Sequence, residues 1–307
     1  MKKHAYCIIA HHNWWQLQIL LELLDDKRND IFIHIDKKVN NIDRESIKSI
    51  CKKSSVKIYQ DVDVQWGGVS QVRCELSIFE HAYCESLSLE QGGYDYYHLL
   101  SGVDLPLKTQ DEIHGFFDEH SEYNFIRYDD DYASSENCIG RVRYYFFAHD
   151  LKIKNAKRKR AVIYIDKCIR MIQRLIRVNR MRHFPYKLYF GSNWVSIKQE
   201  AVKILLDNRD NIYKCFRYTL CPDELYKHTI LRNSGVKTYS FDKDHVVSCL
   251  RYIDFSNHLP NPKTITMNDF DTVMNSGALF ARKFDETVDK EVIKRIYSTI
   301  MKSAKAD

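Results

Sequence analysis

Along the first third of the chain, apolar residues alternate between short unbroken runs and longer stretches spaced three and four apart. The runs at 6–10, 31–35, 56–59 and 94–100 predict buried strands, and the stretches at 14–24 and 69–83 predict helices. Repeated β-α-β units of this length imply an α/β fold, a mostly parallel, doubly wound central sheet flanked by helices. Ligands of such sheets bind past the carboxyl ends of the strands, where His11, His12, Asp36 and Asp104 all fall.

The second half is less regular. A strand is expected at 123–128 and an irregular region at 129–149; strand character returns at 188–197 around Gly191, and 199–206 reads as a helix. Cys221-Pro222-Asp223-Glu224 then opens a helix continuing through Leu231, because the amide that proline lacks has no partner in a first turn. A carboxylate at that end is favoured by the helix dipole and held on a short element, which suits a base that must meet one hydroxyl in one geometry. Acidic residues also open many helices simply as dipole partners. Short strands near 238–241 and 247–253, a loop with Pro260 and Pro262, and a helix at 288–301 complete the pattern.

Composition narrows the class. At 307 residues with 10 glycines and 5 prolines, the chain has length for a large core, few linker residues and no break in composition, so a single domain over 1–307 is expected. Nine cysteines, with no C-x-x-C pair and no His/Cys cluster at zinc spacing, fit reduced thiols in a cytoplasmic protein. The apolar run after Met1-Lys2-Lys3 is too short for a signal peptide, and no window reaches the length of a membrane span. The net charge of +6 is uneven: residues 152–187 hold thirteen Lys or Arg against one acid, Asp166, a local +12 that leaves the remainder at −6. Within it, Lys157-Arg158-Lys159-Arg160 precede Val162, Ile165, Ile169, Ile172 and Ile176, with arginines between them, so 157–182 reads as a basic amphipathic helix. A solvated basic face accounts for such a helix; cations alternating with an apolar stripe also suit an anionic membrane surface, and no nucleic-acid module accompanies it.

Several blocks then recur in a fixed order. They are Ala5-Tyr6-Cys7-Ile8-Ile9-Ala10-His11-His12, Ile33-His34-Ile35-Asp36-Lys37-Lys38, Val64-Gln65-Trp66-Gly67-Gly68, and Tyr97-His98-Leu99-Leu100-Ser101-Gly102-Val103-Asp104-Leu105-Pro106-Leu107-Lys108. Later come Gly191-Ser192-Asn193-Trp194, Pro222-Asp223-Glu224, Leu250-Arg251-Tyr252-Ile253-Asp254 and Leu279-Phe280-Ala281-Arg282-Lys283-Phe284-Asp285. Together they resemble the Core-2/I-branching β-1,6-N-acetylglucosaminyltransferase family, which also contains the peptide O-xylosyltransferases, and in cast a bacterial-type member.

The resemblance implies a GT-A type, Rossmann-like fold, with a donor-nucleotide half at about 1–120 and an acceptor and catalytic half at about 121–307. It implies inverting transfer of GlcNAc or xylose from UDP-GlcNAc or UDP-xylose to a hydroxyl of a glycan or lipid-linked glycan, without a metal or other cofactor. The setting would be bacterial surface polysaccharide synthesis in the cytoplasm, with peripheral contact at the inner face of the membrane. By motif match Glu224 is the base, and Lys283, bracketed by Phe280 and Phe284, meets the donor diphosphate, with Arg251 or Lys263 as second cation. Asp36 falls at the uridine position, His11 beside the same pocket, and Asp104 where metal-dependent relatives of the fold carry Asp-x-Asp. Trp194 is matched to the acceptor side as a floor for a sugar ring; for Trp66 core packing and sugar contact stay open.

Other readings remain. Asp61-Val62-Asp63 and Asp129-Asp130-Asp131 both satisfy Asp-x-Asp, so a metal-dependent enzyme using Asp129 and Asp131 competes with a solvated acidic loop. Adjacent histidines on an extended segment point opposite ways, which argues against His11 and His12 sharing a metal. A non-catalytic nucleotide-sugar or glycan-binding protein would not need Glu224 as a base. Acceptor contacts are expected from 129–149, which contains Arg141 and Arg143.

Overall fold

Unbroken apolar runs form the centre of the sheet because a parallel strand between two helical layers has no solvent face. In the computed structural model, which describes residues 2–90, 92–239, 248–257 and 261–305, β1 (His4–Ala10) and β2 (Asn29–Ile35) are buried almost throughout. The half-exposed β3 (Ser55–Tyr59) forms an edge, and β4 (Tyr96–Ser101) is fully buried. After β5 (Leu105–Pro106) departs to a second sheet, β6 (Ser196–Ile197) closes the first as an antiparallel edge, in the order β3-β2-β1-β4-β6 with the other pairings parallel. The chain thus leaves β1 toward β2 on one side and returns to β4 on the other, which opens a crevice at the carboxyl ends of β1 and β4. The second sheet, β5-β8-β7, uses β7 (Arg251–Ile253) and β8 (Phe280–Arg282).

Helices α1 (Trp14–Leu24), α2 (Arg44–Lys48), α3 (Val69–Ser86), α4 (Gln110–Glu119), α5 (Asp130–Ala133), α6 (Glu136–Arg143), α7 (Ala156–Leu175), α8 (Gln199–Asp207), α9 (Arg209–Phe216), α10 (Tyr226–Asn233), α11 (Phe270–Met274) and α12 (Lys290–Ser303) follow in chain order. Alternation along β1 divides the core. Tyr6, Ile8 and Ala10 join Leu17 and Leu20 of α1, Phe117 of α4 and Ile293 and Ile296 of α12. Ala5 and Cys7 face the other way, onto Val72, Leu76 and Phe79 of α3, Val202 of α8, Phe216 of α9 and Ile230 of α10. The α/β fold with a mostly parallel central sheet is therefore as expected, and α4 carries a legible capping box in Thr109 and Glu112.

Several elements differ from expectation: the region at 129–149 expected to be irregular holds α5 and α6, and the strand character at 188–197 is confined to β6 apart from a bridge at Gly191. The Pro-Asp-Glu helix is broken: Pro222–Glu224 is a 3-10 turn, Leu225 turns away at φ −120° and ψ −46°, and α10 starts only at Tyr226. The expected strand at 123–128 makes only isolated bridges from Asn124, Phe125 and Tyr128, the last of them to Gly191. The basic helix ends at Leu175 rather than 182, where Arg177 takes a positive φ of 56° and the chain turns into a 3-10 turn at Arg180–His183. Residues 240–247, which hold the end of the strand expected at 238–241 and the start of that expected at 247–253, and Pro260 lie outside the described residues.

Candidate active site

Cys221 adopts a left-handed conformation (φ 45°, ψ 60°) and anchors its amide on the carbonyl of Gly67, 2.9 Å away, so the following 3-10 turn projects toward the crevice. Its two acids part there. Asp223 is buried, while Glu224 keeps 38 % of its side chain exposed on the cleft wall. Arg141 of α6 fixes Glu224: its Nη2 donates to Oε2 at 2.8 Å and to the Cys221 carbonyl at 2.6 Å, and its Nε donates to the Leu220 carbonyl at 2.9 Å. Among the described residues the second carboxylate oxygen of Glu224 has no hydrogen-bond partner, so one oxygen is held and the other faces the cleft. The main chain is held as well, because the Gly191 amide donates to the Glu224 carbonyl at 3.1 Å. Only glycine fits at 191, where a Cβ would fall 1.8 Å from the Arg127 carbonyl oxygen.

Beneath this turn lies a buried polar cluster. Lys227 of α10 pairs with Glu75 of α3 and donates to the Asn193 side chain and to the Asp223 carbonyl, the last at 3.1 Å; Tyr226 also donates to Glu75 at 2.9 Å. Glu75 and Lys227 are 1 % and 0 % exposed, so each neutralises a charge that burial alone would make very unfavourable. Asp223 accepts from the Gln71 side-chain Nε2 at 3.2 Å, and its Oδ1 has no partner among the described residues. Burial first, then the neighbouring charges of Glu224 and Glu75, push the Asp223 carboxyl up to about 7, against the pull of Lys227 and Arg141.

The cleft over these groups has a volume of about 910 Å³, ample for a nucleotide-sized ligand. At the strand ends it is lined by His11, Asp36 and Ser101. Asp36 closes β2 and accepts from the Lys38 amide at 2.9 Å, so it both caps its turn and faces the cleft. The rings of His11 and His12 stand side by side, centroids 4.2 Å apart, instead of pointing apart, because β1 ends at Ala10 and the chain bends. Asp104 lies behind the wall rather than on it: fully buried, it accepts from the Ser101 amide at 3.0 Å and the Ser101 hydroxyl at 2.6 Å.

The cation that lines the cleft is Arg282, at the end of β8. Its guanidinium stacks 4.0 Å from the Trp194 ring and reaches Asp104 at 3.7 Å, while Nε and Nη1 have no hydrogen-bond partner among the described residues. Burial lowers the Arg282 pKa, with Asp104 acting in the opposite direction. Lys283 follows, half-buried and not among the residues that line the cleft, its carbonyl accepting from the Ile265 amide at 2.9 Å. Arg251 does not reach the cleft: it is 1 % exposed and donates to the Ser196 hydroxyl and the Val195 carbonyl, both at 2.8 Å, and burial pushes it down to about 10. β7 is the edge strand of the second sheet, and the Arg251 side chain is directed from it to Ser196 and Val195 at β6 rather than to the cleft. Lys263 is turned to Asp269, 2.6 Å away. Trp194 and the 64 % exposed Trp66 both line the cleft.

Of the acidic alternatives, Asp129 lines the cleft and caps α5 through the Tyr132 amide at 2.9 Å, whereas Asp131 is exposed and not on the cleft wall. Asp61 is engaged with His34 and His81 at 3.3 and 3.2 Å. Arg143 pairs with Glu136 at 2.7 Å rather than with Glu224. Sequence reasoning missed Arg141 as a partner of Glu224, and also Glu75, Lys227 and Arg282. Arg282 left a signal as the neighbour of Lys283 between Phe280 and Phe284, and Glu75 as an acid inside the apolar stripe of Val72, Leu76 and Phe79.

The sequence profile of Core-2/I-Branching enzymes matches residues 4–274. Xylosyltransferase 2 of Canis lupus familiaris is 23 % identical over 94 % of this chain and 33 % of its own length. Beta-glucuronosyltransferase GlcAT14A of Arabidopsis thaliana is 27 % identical over 85 % of this chain and 57 % of its own. The chain thus spans about a third of the length of the xylosyltransferases it matches. Among solved structures, mouse xyloside xylosyltransferase 1 overlaps with a TM-score of 0.39 at 11 % identity, covering 92 % of this chain and 97 % of that one. With the profile covering most of its length, the chain belongs to the Core-2/I-Branching enzyme family.

Proposed function

We propose that this chain is an inverting, metal-independent glycosyltransferase of GT-A type that moves GlcNAc or xylose from a UDP-sugar to a hydroxyl of a glycan or lipid-linked glycan. The observation that carries the reading is one cleft lined both by Glu224, oriented by Arg141, and by Arg282, with hydrogen-bonding capacity left on its guanidinium. In this reaction the acceptor hydroxyl loses its proton to Glu224 as its oxygen bonds to the anomeric carbon, and the bond from that carbon to the nucleotide diphosphate breaks. Charge that develops on the leaving diphosphate is met by fixed cations, usually the largest stabilisation such a site offers. Arg282 supplies one; Lys283, next along the chain, has a flexible stem that brings its head to the same group. Asp36 and His11 serve the nucleotide end, and Trp194, with Arg282 on one face, serves the sugars. The biological setting we propose is bacterial surface polysaccharide synthesis in the cytoplasm.

UDP release measured across UDP-GlcNAc, UDP-xylose and UDP-glucuronate tests the reading, with UDP binding followed in parallel. Glu224→Gln is expected to lower turnover by about 10²- to 10⁴-fold while UDP still binds. Arg282→Ala is expected to weaken UDP binding as well as turnover. Turnover unchanged in Glu224→Gln would refute the assignment of the base, and wild-type protein that binds UDP without turning over any donor favours the non-catalytic binding protein. Activity abolished by EDTA and restored by Mn²⁺ replaces the metal-free reading with one built on Asp129.

A further inference from the structure

Helix α7 is seated on the protein by its polar face. Its two buried side chains are Asp166 and Gln173, two turns apart. Asp166 accepts from the Phe147 amide at 2.9 Å; Gln173 accepts from the Tyr145 amide at 2.8 Å and donates to the Tyr145 carbonyl at 3.0 Å. Arg170 adds a cation–π contact 4.3 Å from the Phe146 ring. The helix therefore serves as a hydrogen-bonding neighbour for the extended segment at 144–147.

Val162 and Ile169 sit half-buried beside this inner line, and the remaining apolar residues of the helix point outward. Ile165, Ile172, Leu175 and Ile176 are 56, 56, 81 and 68 % exposed, and their spacing of seven, ten and eleven residues from the first places them along one side of the helix. A surface helix held by the hydrophobic effect turns such a stripe toward the core, so a contiguous exposed one marks a surface that meets a partner. Charge identifies that partner. The helix carries Lys157, Arg158, Lys159, Arg160, Lys167, Arg170 and Arg174, and its one acid, Asp166, is buried and paired with Arg170. Two copies of this face would bring like charges together, and a nucleic-acid backbone has no apolar surface to cover isoleucine and leucine. An anionic bilayer answers both features, with headgroups for the cations and an acyl boundary for the stripe.

Position links this surface to the cleft. Lys159, one and two heptads before Asp166 and Gln173 on the inner line of the helix, lines the cleft, and Lys152 just upstream pairs at 3.1 Å with Asp63. We infer that α7 is an interfacial helix that docks the chain on an anionic lipid surface with the cleft mouth beside that surface. Among the described residues no helix is long and apolar enough to cross a membrane, so this contact lies in the plane of the interface. Docking is independent of the transfer reaction proposed above.

Co-sedimentation of the full chain with vesicles tests the inference, comparing phosphatidylcholine alone with a mixture containing roughly one-third phosphatidylglycerol. Binding is expected only to the anionic vesicles, and is expected to weaken at about 0.5 M salt. The variants Ile165→Ser/Ile172→Ser/Leu175→Ser and Lys157→Gln/Arg158→Gln/Arg160→Gln are each expected to lose at least about tenfold in affinity. All six side chains are exposed, so thermal midpoints equal to wild type separate lost docking from lost fold. The inference is overturned by any of four results: no binding to anionic vesicles, binding that both variants retain, a wild-type dimer that the serine variant dissociates, or binding to duplex DNA in place of lipid.

Discussion

Asp223 and Glu224 are adjacent in sequence and end in opposite environments. The Asp223 carboxyl is raised from 3.8 to about 7, chiefly by burial. A folded-state pKa above the unfolded value means that the native protein holds this proton more tightly, so the contribution to stability is full below about pH 4 and is lost as pH rises to about 7. Asp223→Asn keeps the shape and removes the buried charge. Its stability relative to wild type, read from urea midpoints, is expected to improve on going from pH 4 to pH 8 by on the order of 3 kcal/mol. A difference that stays constant over that range would mean that Asp223 is not buried as an acid. Glu224 by contrast lines the cleft, with one oxygen tied to Arg141 and its backbone tied to Gly191.

The 3-10 turn, α3 and α10 act as one unit through Glu75 and Lys227, which are 152 residues apart. Because Lys227 faces both Glu75 and the Asp223 turn, Lys227→Met leaves two buried acids with less compensation. A loss of about 3–5 kcal/mol in unfolding free energy is expected, and the double variant Glu75→Gln/Lys227→Met is expected to recover at least half of it. Equal losses in the single and double variants would show that packing, not charge, joins these helices. Breaking the helix at Leu225 lets Pro222–Glu224 turn independently of α10, so Asp223 goes beneath the turn while Glu224 faces the cleft.

Across the whole molecule, buried histidines connect the two sheets. Arg251 of β7 donates to Ser196 of β6, which hydrogen-bonds His98 of β4 at 2.8 Å; His98 contacts His4 of β1 at 3.1 Å, and His4 stacks 4.0 Å from His114 of α4. Burial lowers the pKa of all three, His114 to about 4, and lowers His228 to about 3. For these bases the sign is opposite to that of Asp223: the unfolded chain takes up protons below about 6.5 and the native one does not. The histidine contribution is therefore expected to be full above about pH 6.5 and to fall toward pH 5, by up to about 1.4 kcal/mol per pH unit for each histidine, outweighing the opposite effect of the raised acids Asp223 and Asp95. Urea midpoints between pH 7.5 and pH 5 check this, and a flat profile contradicts it.

The sequence by itself determined the central strands, the parallel sheet, the end of it where the cleft opens, and Glu224 as a candidate acid that lines that cleft. Those features depend on local facts, the length of an apolar run and the residues beside a turn, which act before distant segments meet. Tertiary structure decided which partners these residues receive: Arg141 reaches Glu224 from 83 residues away, and Arg282 rather than the buried Arg251 lines the cleft. It also decided which face of α7 points outward. The amphipathic pattern is plain in the sequence, yet hydrogen bonds that Asp166 and Gln173 accept from the Phe147 and Tyr145 amides turned the polar line inward. Facing is a property of two packed surfaces, and periodicity along one element describes only one of them.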